Sequence, residues 1–305
     1  MNLQKKLFLA FIALYFVIVI VFFSYNFKYK ELELLGFSFV ISIIGFTLIS
    51  NIVRAIRYYF ALKSLGIEIP FFKVLAYYYI GIGFTLTPGK VGELIKIKYL
   101  NKYHQDGILY ASLFVVERCI DLLILFSFLF IGFWHEGLAI YCGCFVGVIV
   151  SFFGFCFIFS KYLKKIARFL INRSYVKLSK LFLIALIITK KLKLILNLKT
   201  ILIMIGFGII AWSVISFGIA RELSLLANTS ILEFFNFFAI SVLSGAALMS
   251  PSGVGTTELI SSVILSKYFT LEYAVAIGIL ISVATFWVQI VIGLVVFLGR
   301  RFIAK

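Results

Sequence analysis

Apolar runs long enough to cross a bilayer recur along the chain, and they constrain its fold more than any other feature. Crossing the hydrocarbon core takes about 20 apolar residues per helix. Six runs approach or exceed that length, at residues 7–25, 35–57, 108–133, 138–160, 197–221 and 272–299. Only 13% of the residues are charged, and lipid offers free backbone groups no hydrogen-bond partners. The sequence therefore predicts an all-α polytopic membrane protein, with residues 1–305 forming a single membrane domain.

Positive charge is concentrated in one segment and predicts the orientation of the helices. Residues 161–196 contain many Lys and Arg, no acidic residue, and Ile, Leu and Phe between the cations. By the positive-inside rule this segment is cytoplasmic, and its mixed character is typical of helix lying on the inner leaflet. Six spans then place both termini in the cytoplasm. Anionic lipid headgroups explain the charge, so we expect no nucleic-acid partner.

Two similar motifs interrupt apolar sequence, "TPGKVGE" at residues 87–93 and "SPSGVGTTE" at 250–258. The run 71–87 has cytoplasmic basic residues on both sides, so it cannot cross the membrane. We therefore predict a re-entrant hairpin at 71–103. The same count places both ends of 232–267 outside, which predicts a second re-entrant hairpin that enters from the opposite face.

The two halves of the chain align at a constant offset of 163 residues. Pro88 then matches Pro251, and Gly92 matches Gly255. Because the charge pattern gives the halves opposite orientations, we predict an inverted repeat, with repeat one at about 35–133 and repeat two at about 197–299.

The motifs themselves are candidates for a binding site. Broken backbone at membrane depth persists only where it is buried in protein or lines a wet cavity. Each motif is predicted to begin a short helix, near Gly92 and near Thr256, and helix N-termini attract anions such as phosphate. The predicted cavity walls are Pro88, Gly89, Gly92 and Glu93 on one side, and Pro251, Ser252, Gly253, Gly255 and Glu258 on the other. The alternative is that both motifs are structural turns only.

Two interpretations remain open for Glu93 and Glu258. Each carboxylate either caps its own helix or takes part in transport by accepting a proton or a cation.

A third charged sequence, "VVERCIDLL", lies within the predicted span 108–133. Glu117 and Asp121 are four residues apart and share a helix face, so a cation is expected between or opposite them. The candidates are Arg54, Arg57 and Arg118. The group is either an internal ion-pair clamp, which we favour for Asp121, or a set of carboxylates that positions arginines for a lipid phosphate.

In this order, Arg54 with Arg57, "TPGKVGE", "ERCIDLL" and "SPSGVGTTE" resemble the transmembrane region of lysylphosphatidylglycerol synthases and the wider flippase-like family around it. The resemblance extends from about residue 10 to 300. It implies movement of an anionic or aminoacylated phospholipid, or of an isoprenoid-phosphate-linked sugar, between leaflets.

The chain departs from that family in two respects. No aminoacyl-transfer domain follows the membrane part, so we do not expect lysyl transfer. Ser252 stands where the family's second motif usually has Gly, and its hydroxyl is able to donate to a phosphate.

We therefore expect a lipid flippase or scramblase of the cytoplasmic membrane, passive or ion-coupled, and not an enzyme. The alternatives are a secondary transporter of a small anion and, third, a membrane-embedded glycosyl or lipid transferase. The sequence contains no catalytic triad, metal-ligand cluster or nucleotide-binding motif, so we expect no cofactor and no metal. Membrane lipids are the expected partners. Further copies of the chain and separate lipid-modifying or glycan-assembly enzymes are additional candidates.

Overall fold

A computed structural model describes residues 37–132, 194–247 and 253–299, together with positions 147, 191 and 192. All regular elements within these residues are helical, which confirms the all-α prediction for this part of the chain. In chain order they are α1 (Phe37–Ser64), α2 (Phe71–Gly83), a 3₁₀ helix (Pro88–Lys96), α3 (Ile97–Leu100), α4 (Gly107–Gly132), α5 (Leu198–Ala227), α6 (Ile231–Phe235), α7 (Phe237–Ala247), α8 (Thr256–Leu265), α9 (Leu271–Ser282), a π-helix (Val283–Trp287) and α10 (Val288–Leu298).

Three helical stretches in the described residues are long and apolar enough to cross a membrane. They are α1, α5 and the continuous stretch Leu271–Leu298, which contains α9, the π-helix and α10. The protein is therefore a helical membrane protein. The predicted span 108–133 corresponds to α4, which is 26 residues long and contains Glu117, Arg118 and Asp121. The predicted spans 7–25 and 138–160, and most of the basic segment 161–196, lie outside the described residues.

Two predicted spans end later than expected. The span predicted at 35–57 continues to Ser64, and the one predicted at 197–221 continues to Ala227. Arg57, at the predicted end of the span 35–57, is instead fully buried within α1. A charged side chain that is paired inside the protein does not need to reach the membrane–water interface. Such a residue therefore does not mark the end of a membrane-spanning helix.

The long helices of the two halves correspond in position and length. Adding 163 to the bounds of α1 gives 200–227, and α5 occupies Leu198–Ala227. Adding 163 to the bounds of α4 gives 270–295, beside the observed Leu271–Leu298.

Helices α1 and α5 pack against each other along much of their length. The Ser50 hydroxyl donates to the Ala211 carbonyl at 2.8 Å, and the Ser64 and Thr200 hydroxyls lie 2.7 Å apart. The side chain of Asn197 caps the start of α5 by accepting from the Thr200 N–H at 2.9 Å. Helices α2, α4, α6 and α7 and the π-helix pack against this pair.

Two helical hairpins contain the proline-glycine motifs. In the first, α2 packs against the 3₁₀ helix, and in the second, α7 packs against α8. Helix α8 begins at Thr256, as predicted. The second arm of the first hairpin begins at Pro88 rather than near Gly92, so Glu93 does not lie in a first turn. The reason is local: the Lys90 N–H donates to the Thr87 carbonyl at 2.9 Å, the spacing of a 3₁₀ turn, and the Thr87 hydroxyl accepts the Gly92 N–H at 2.6 Å.

A charged contact marks the start of α4. Asp106 Oδ1 accepts the Leu109 N–H at 3.0 Å, and its carboxylate also pairs with Lys191 at 2.6 Å. Partial burial raises the pKa of Asp106, but the hydrogen bonds from Lys191 and Leu109 outweigh it and hold the pKa below its ordinary value. The contact ties one end of the basic segment to α4.

Candidate functional site

A cavity of about 620 Å³ lies between the two hairpins and the long helices. This size is within the range of small-molecule binding sites. Helices α1, α2, α4, α5, α7 and α8 line it, together with Leu271–Leu298. Lys90 and Glu93 reach it from the first motif, and Gly253, Thr257 and Glu258 reach it from the second. The structure thus brings both motifs to one cavity.

Behind one wall of the cavity, Arg57 joins α1 to α4. Its guanidinium donates to Glu117 Oε1 at 2.6 Å and to Asp121 Oδ1 at 2.7 Å, and its side chain is fully buried. A methyl group added to Gly208 would lie 3.0 Å from Arg57 Nη1, so the glycine leaves room for this guanidinium. The indole N–H of Trp212 also donates to Asp121 Oδ1, at 3.1 Å. Arg57 is thus the internal clamp that the sequence favoured for Asp121.

Two further cations share the same carboxylates. Arg118 lies 3.5 Å from Glu117, 3.6 Å from Asp121 and 3.7 Å from Glu93. The buried ammonium of Lys96 lies 3.7 Å from Glu117 and 4.4 Å from the centre of the Tyr58 ring. Of these two cations, Arg118 lines the cavity.

Arg54 and Lys90 also line the cavity, and neither forms an ion pair with any residue that the structure describes. The guanidinium of Arg54 lies over the Trp212 ring, 4.0 Å from its centre, and donates to the Ser50 hydroxyl at 3.4 Å. Lys90 adopts a left-handed backbone conformation with φ of 56°. An arginine so nearly buried without a carboxylate is costly unless an anion or water compensates it.

The two motif carboxylates differ in their contacts. Glu258 accepts the Gly255 N–H at 2.7 Å and the Thr257 hydroxyl at 2.8 Å, so it caps α8. Glu93 accepts from Thr85 at 3.3 Å and faces Arg118. Of the two open interpretations, capping describes Glu258, whereas Glu93 belongs to the charged cluster.

Uncharged polar groups line another part of the cavity. Asn51 donates to Gln289 at 2.9 Å, linking α1 to α10, and the hydroxyls of Ser241 and Ser261 lie 3.0 Å apart. Gln289 is the second residue after the π-helix. Such π turns often occur at functional sites, because one inserted residue changes the direction of the next turn.

The remaining predicted residues are placed as follows. Arg54, Glu93, Arg118, Asp121, Gly253 and Glu258 line the cavity, whereas Arg57 and Glu117 do not. Pro88 and Gly89 begin the 3₁₀ helix, and Gly255, with φ of 84°, precedes α8. A methyl group on Gly92 would overlap the Phe84 carbonyl oxygen, so glycine is required there. Pro251 and Ser252 lie outside the described residues.

The sequence interpretation did not single out Lys90, Lys96, Trp212 or Gln289. Lys90 lies within the first motif, and Gln289 is a lone amide in an apolar span. Polar residues within the membrane usually face the protein interior. A polar residue in apolar sequence is therefore the signal that identifies Lys90 and Gln289. No group of three His, Cys, Asp or Glu side chains suited to a metal ion occurs within the described ranges.

The described residues thus define a helical membrane protein in which two hairpins and the long helices enclose a charged internal cavity. Residues 7–293 match the model of the family described as the lysylphosphatidylglycerol synthase TM region, and the chain belongs to this family. The match confirms the resemblance carried by the four motifs. No curated protein and no solved structure matches the sequence.

Proposed function

We propose that the protein is a flippase or scramblase that moves phosphate-containing lipid headgroups across the cytoplasmic membrane. One observation carries the proposal. Arg54 and Lys90 line the cavity without an ion-pair partner among the described residues, while the carboxylates around them are all engaged. Arginine and lysine are the side chains that most often bind phosphate oxygens.

The charge balance of the site supports an anionic headgroup. The cavity and the ion-pair cluster behind it contain five cations and four carboxylates: Arg54, Arg57, Lys90, Lys96 and Arg118, with Glu93, Glu117, Asp121 and Glu258. A phosphate monoanion bound by Arg54 and Lys90 would neutralise the excess. Glu117 and Asp121 are held by Arg57 at 2.6 and 2.7 Å and also lie near Arg118, but neither forms an ion pair with Arg54 or Lys90. These two cations therefore remain for the phosphate.

Arg118 offers a route for the headgroup through the cavity. It lies at 3.5–3.7 Å from three carboxylates, longer than the contacts of Arg57, and 23% of its side chain is exposed. A phosphate could take the place of Glu93 at Arg118 with little loss of electrostatic energy. Movement would then be passive, or coupled to an ion if Glu93 accepts a proton when released.

The arrangement in the membrane is part of the same proposal. We propose six spans with both termini cytoplasmic, and two hairpins that enter from opposite faces as an inverted repeat. The correspondence of element lengths between the halves supports this. We also propose that the chain transports without performing group transfer, since its cavity carboxylates are held in ion pairs or a helix cap.

Purified protein in vesicles containing fluorescent anionic phospholipid provides the test. An impermeant quencher added outside reports the fraction of label in the outer leaflet. Wild type is expected to make all label accessible, and Arg54→Gln to slow this at least about tenfold, since a hydrogen bond to a charged group contributes about 1.5–3 kcal/mol.

Arg221→Gln is the matched control. Arg221 lies in α5 outside the cavity, pairs with Glu222 at 2.7 Å and has 47% of its side chain exposed. It should transport as wild type does. If wild-type vesicles never expose the inner-leaflet label, with or without an ion gradient, the flippase proposal is wrong.

A small-anion transporter is the second candidate, because the same unpaired cations suit inorganic phosphate. Uptake of labelled phosphate by the same vesicles separates the two functions. Rapid phosphate uptake without lipid movement would favour this alternative.

A further inference from the structure

We propose that the cavity recognises hydroxyl groups next to the phosphate, and therefore selects a polyol phosphodiester, such as a glycerol or sugar headgroup, over a cationic aminoacylated headgroup. This inference rests on the proposed function, and it names the chemistry of the headgroup at the same site.

One face of α1 places an arginine that suits a phosphate beside polar side chains that suit hydroxyl groups. Thr47, Ser50, Asn51 and Arg54 all line the cavity. Residues three and four apart are neighbours on a helix surface, and three residues advance about 4.5 Å along the axis. A headgroup whose phosphate contacts Arg54 would thus present its next few atoms to Asn51 and Thr47. That length suits the carbons and hydroxyls that follow the phosphate in a glycerol or sugar headgroup.

Gln289 supplies an independent observation. It lines the cavity with 2% of its surface exposed, and its Nε2 has no hydrogen-bond partner among the described residues. Its Oε1 is occupied by Asn51, which fixes the orientation of the amide. A buried amide donor left unpaired costs free energy. A ligand oxygen in the cavity would satisfy it.

The second hairpin adds hydroxyls to the cavity beside the Glu258 carboxylate, which caps α8. Ser241 and Ser261 face one another at 3.0 Å, and Thr257 also lines the cavity. Hydroxyls both donate and accept, so they match ligand hydroxyls, which have the same property.

The charges disfavour an ammonium group. A lysyl headgroup needs a carboxylate partner, and each of the four carboxylates already has cations or hydrogen-bond donors. The surrounding cations outnumber these carboxylates, so the cavity repels an added ammonium.

Calorimetric titration of the full chain in detergent tests the inference with short-chain lipids below their micelle concentration. Phosphatidylglycerol and phosphatidylpropanol carry the same charge but differ by two hydroxyls. Phosphatidylglycerol should bind about fivefold tighter, the value of roughly one hydrogen bond, and lysylphosphatidylglycerol should bind more weakly than phosphatidylglycerol. A short isoprenyl phosphate sugar, titrated in parallel, shows whether glycerol or sugar is preferred.

Two variants of α10 test whether Gln289 causes the preference for phosphatidylglycerol. Gln289→Met keeps the side-chain volume without the amide, so the affinity ratio of the two phospholipids should fall towards one. Val291→Met, at a 56% exposed position of the same helix, should keep the wild-type ratio. Equal wild-type affinities, an unchanged ratio in Gln289→Met, or tighter binding of the lysyl lipid would overturn the inference.

Failure of the proposed function would be distinguishable. If Arg54→Gln binds every phospholipid as tightly as wild type, Arg54 does not bind the phosphate and the proposed function is wrong. This conclusion does not depend on the preference for hydroxyls.

Discussion

Arg54 and Arg57 are the same residue type, three positions apart on α1, yet they have different environments. Arg57 is fully buried and holds two carboxylates at 2.6 and 2.7 Å. Arg54 faces the cavity, where it contacts the Trp212 ring and the Ser50 hydroxyl. Three positions on one helix thus separate an arginine that is held by two carboxylates from an arginine that faces the cavity.

Arg57→Met is expected to lower the thermal stability of the protein sharply. The substitution leaves Glu117 and Asp121 buried with weaker ion pairs to Arg118 and Lys96, and breaking a buried ion pair typically costs about 3–5 kcal/mol. Thermal unfolding of the purified protein in detergent, followed by circular dichroism, measures the loss.

Arg54→Met serves as the comparison and should cost clearly less, because it leaves no carboxylate unpaired. Adding Glu117→Gln and Asp121→Asn to Arg57→Met should recover part of the stability. Equal losses for Arg54→Met and Arg57→Met would show that Arg57 is not the structural clamp.

Packing between elements depends on glycine where α2 crosses α10. A methyl group added to Gly83 would lie 2.8 Å from the Gly293 carbonyl carbon and 2.9 Å from the Leu294 nitrogen. A methyl group on Gly293 would overlap the Tyr79 carbonyl and the backbone of Gly83. The first hairpin therefore rests on the last helix by backbone contact, as small residues allow in membranes.

Gly293→Ala is expected to separate α2 from α10 and to reduce both stability and lipid movement. Overpacking of this kind typically costs about 1–3 kcal/mol. The vesicle assay and the thermal unfolding midpoint together report the two effects.

Gly206→Ala is the control, because a methyl group at Gly206 of α5 meets no atom within 4 Å. Its stability should equal or slightly exceed that of wild type. A Gly293→Ala protein as stable and active as Gly206→Ala would mean that the close crossing is not required.

At the scale of the whole molecule, two halves of matching element order pack through α1 and α5. Contacts between the halves include Ser50 with Ala211 and Asn51 with Gln289. The cavity is lined from both halves, so neither half contains a complete site.

Thiol labelling tests the opposite orientations of the halves. In a variant with the four native cysteines replaced by serine, Lys102→Cys and Lys267→Cys place single thiols at exposed positions at the end of each hairpin. In intact cells, an impermeant maleimide should label Cys at 267 and should not label Cys at 102.

Permeabilised cells provide the control, because both thiols should then react. Labelling of both positions, or of neither, in intact cells would contradict the inverted repeat.

Much of the architecture follows from the sequence alone. Hydropathy indicated α1, α4, α5 and Leu271–Leu298, because the cost of exposing polar groups to lipid acts on each segment separately. Proline and glycine indicated the hairpin breaks, since their backbone restrictions are also local. The four motifs indicated the family, which the match over residues 7–293 confirms.

The tertiary structure decided what depends on contacts between distant residues. Side chains from other helices decide which arginine is paired and where Lys96 and Trp212 lie. The backbone of α2 decides that Gly293 must be small. The start of the first motif's helix at Pro88 was also missed, although the hydrogen bond of the Gly92 N–H to the Thr87 hydroxyl is local. Sequence patterns record the preferences of each segment, whereas the charge state and shape of the cavity arise only when the segments pack together.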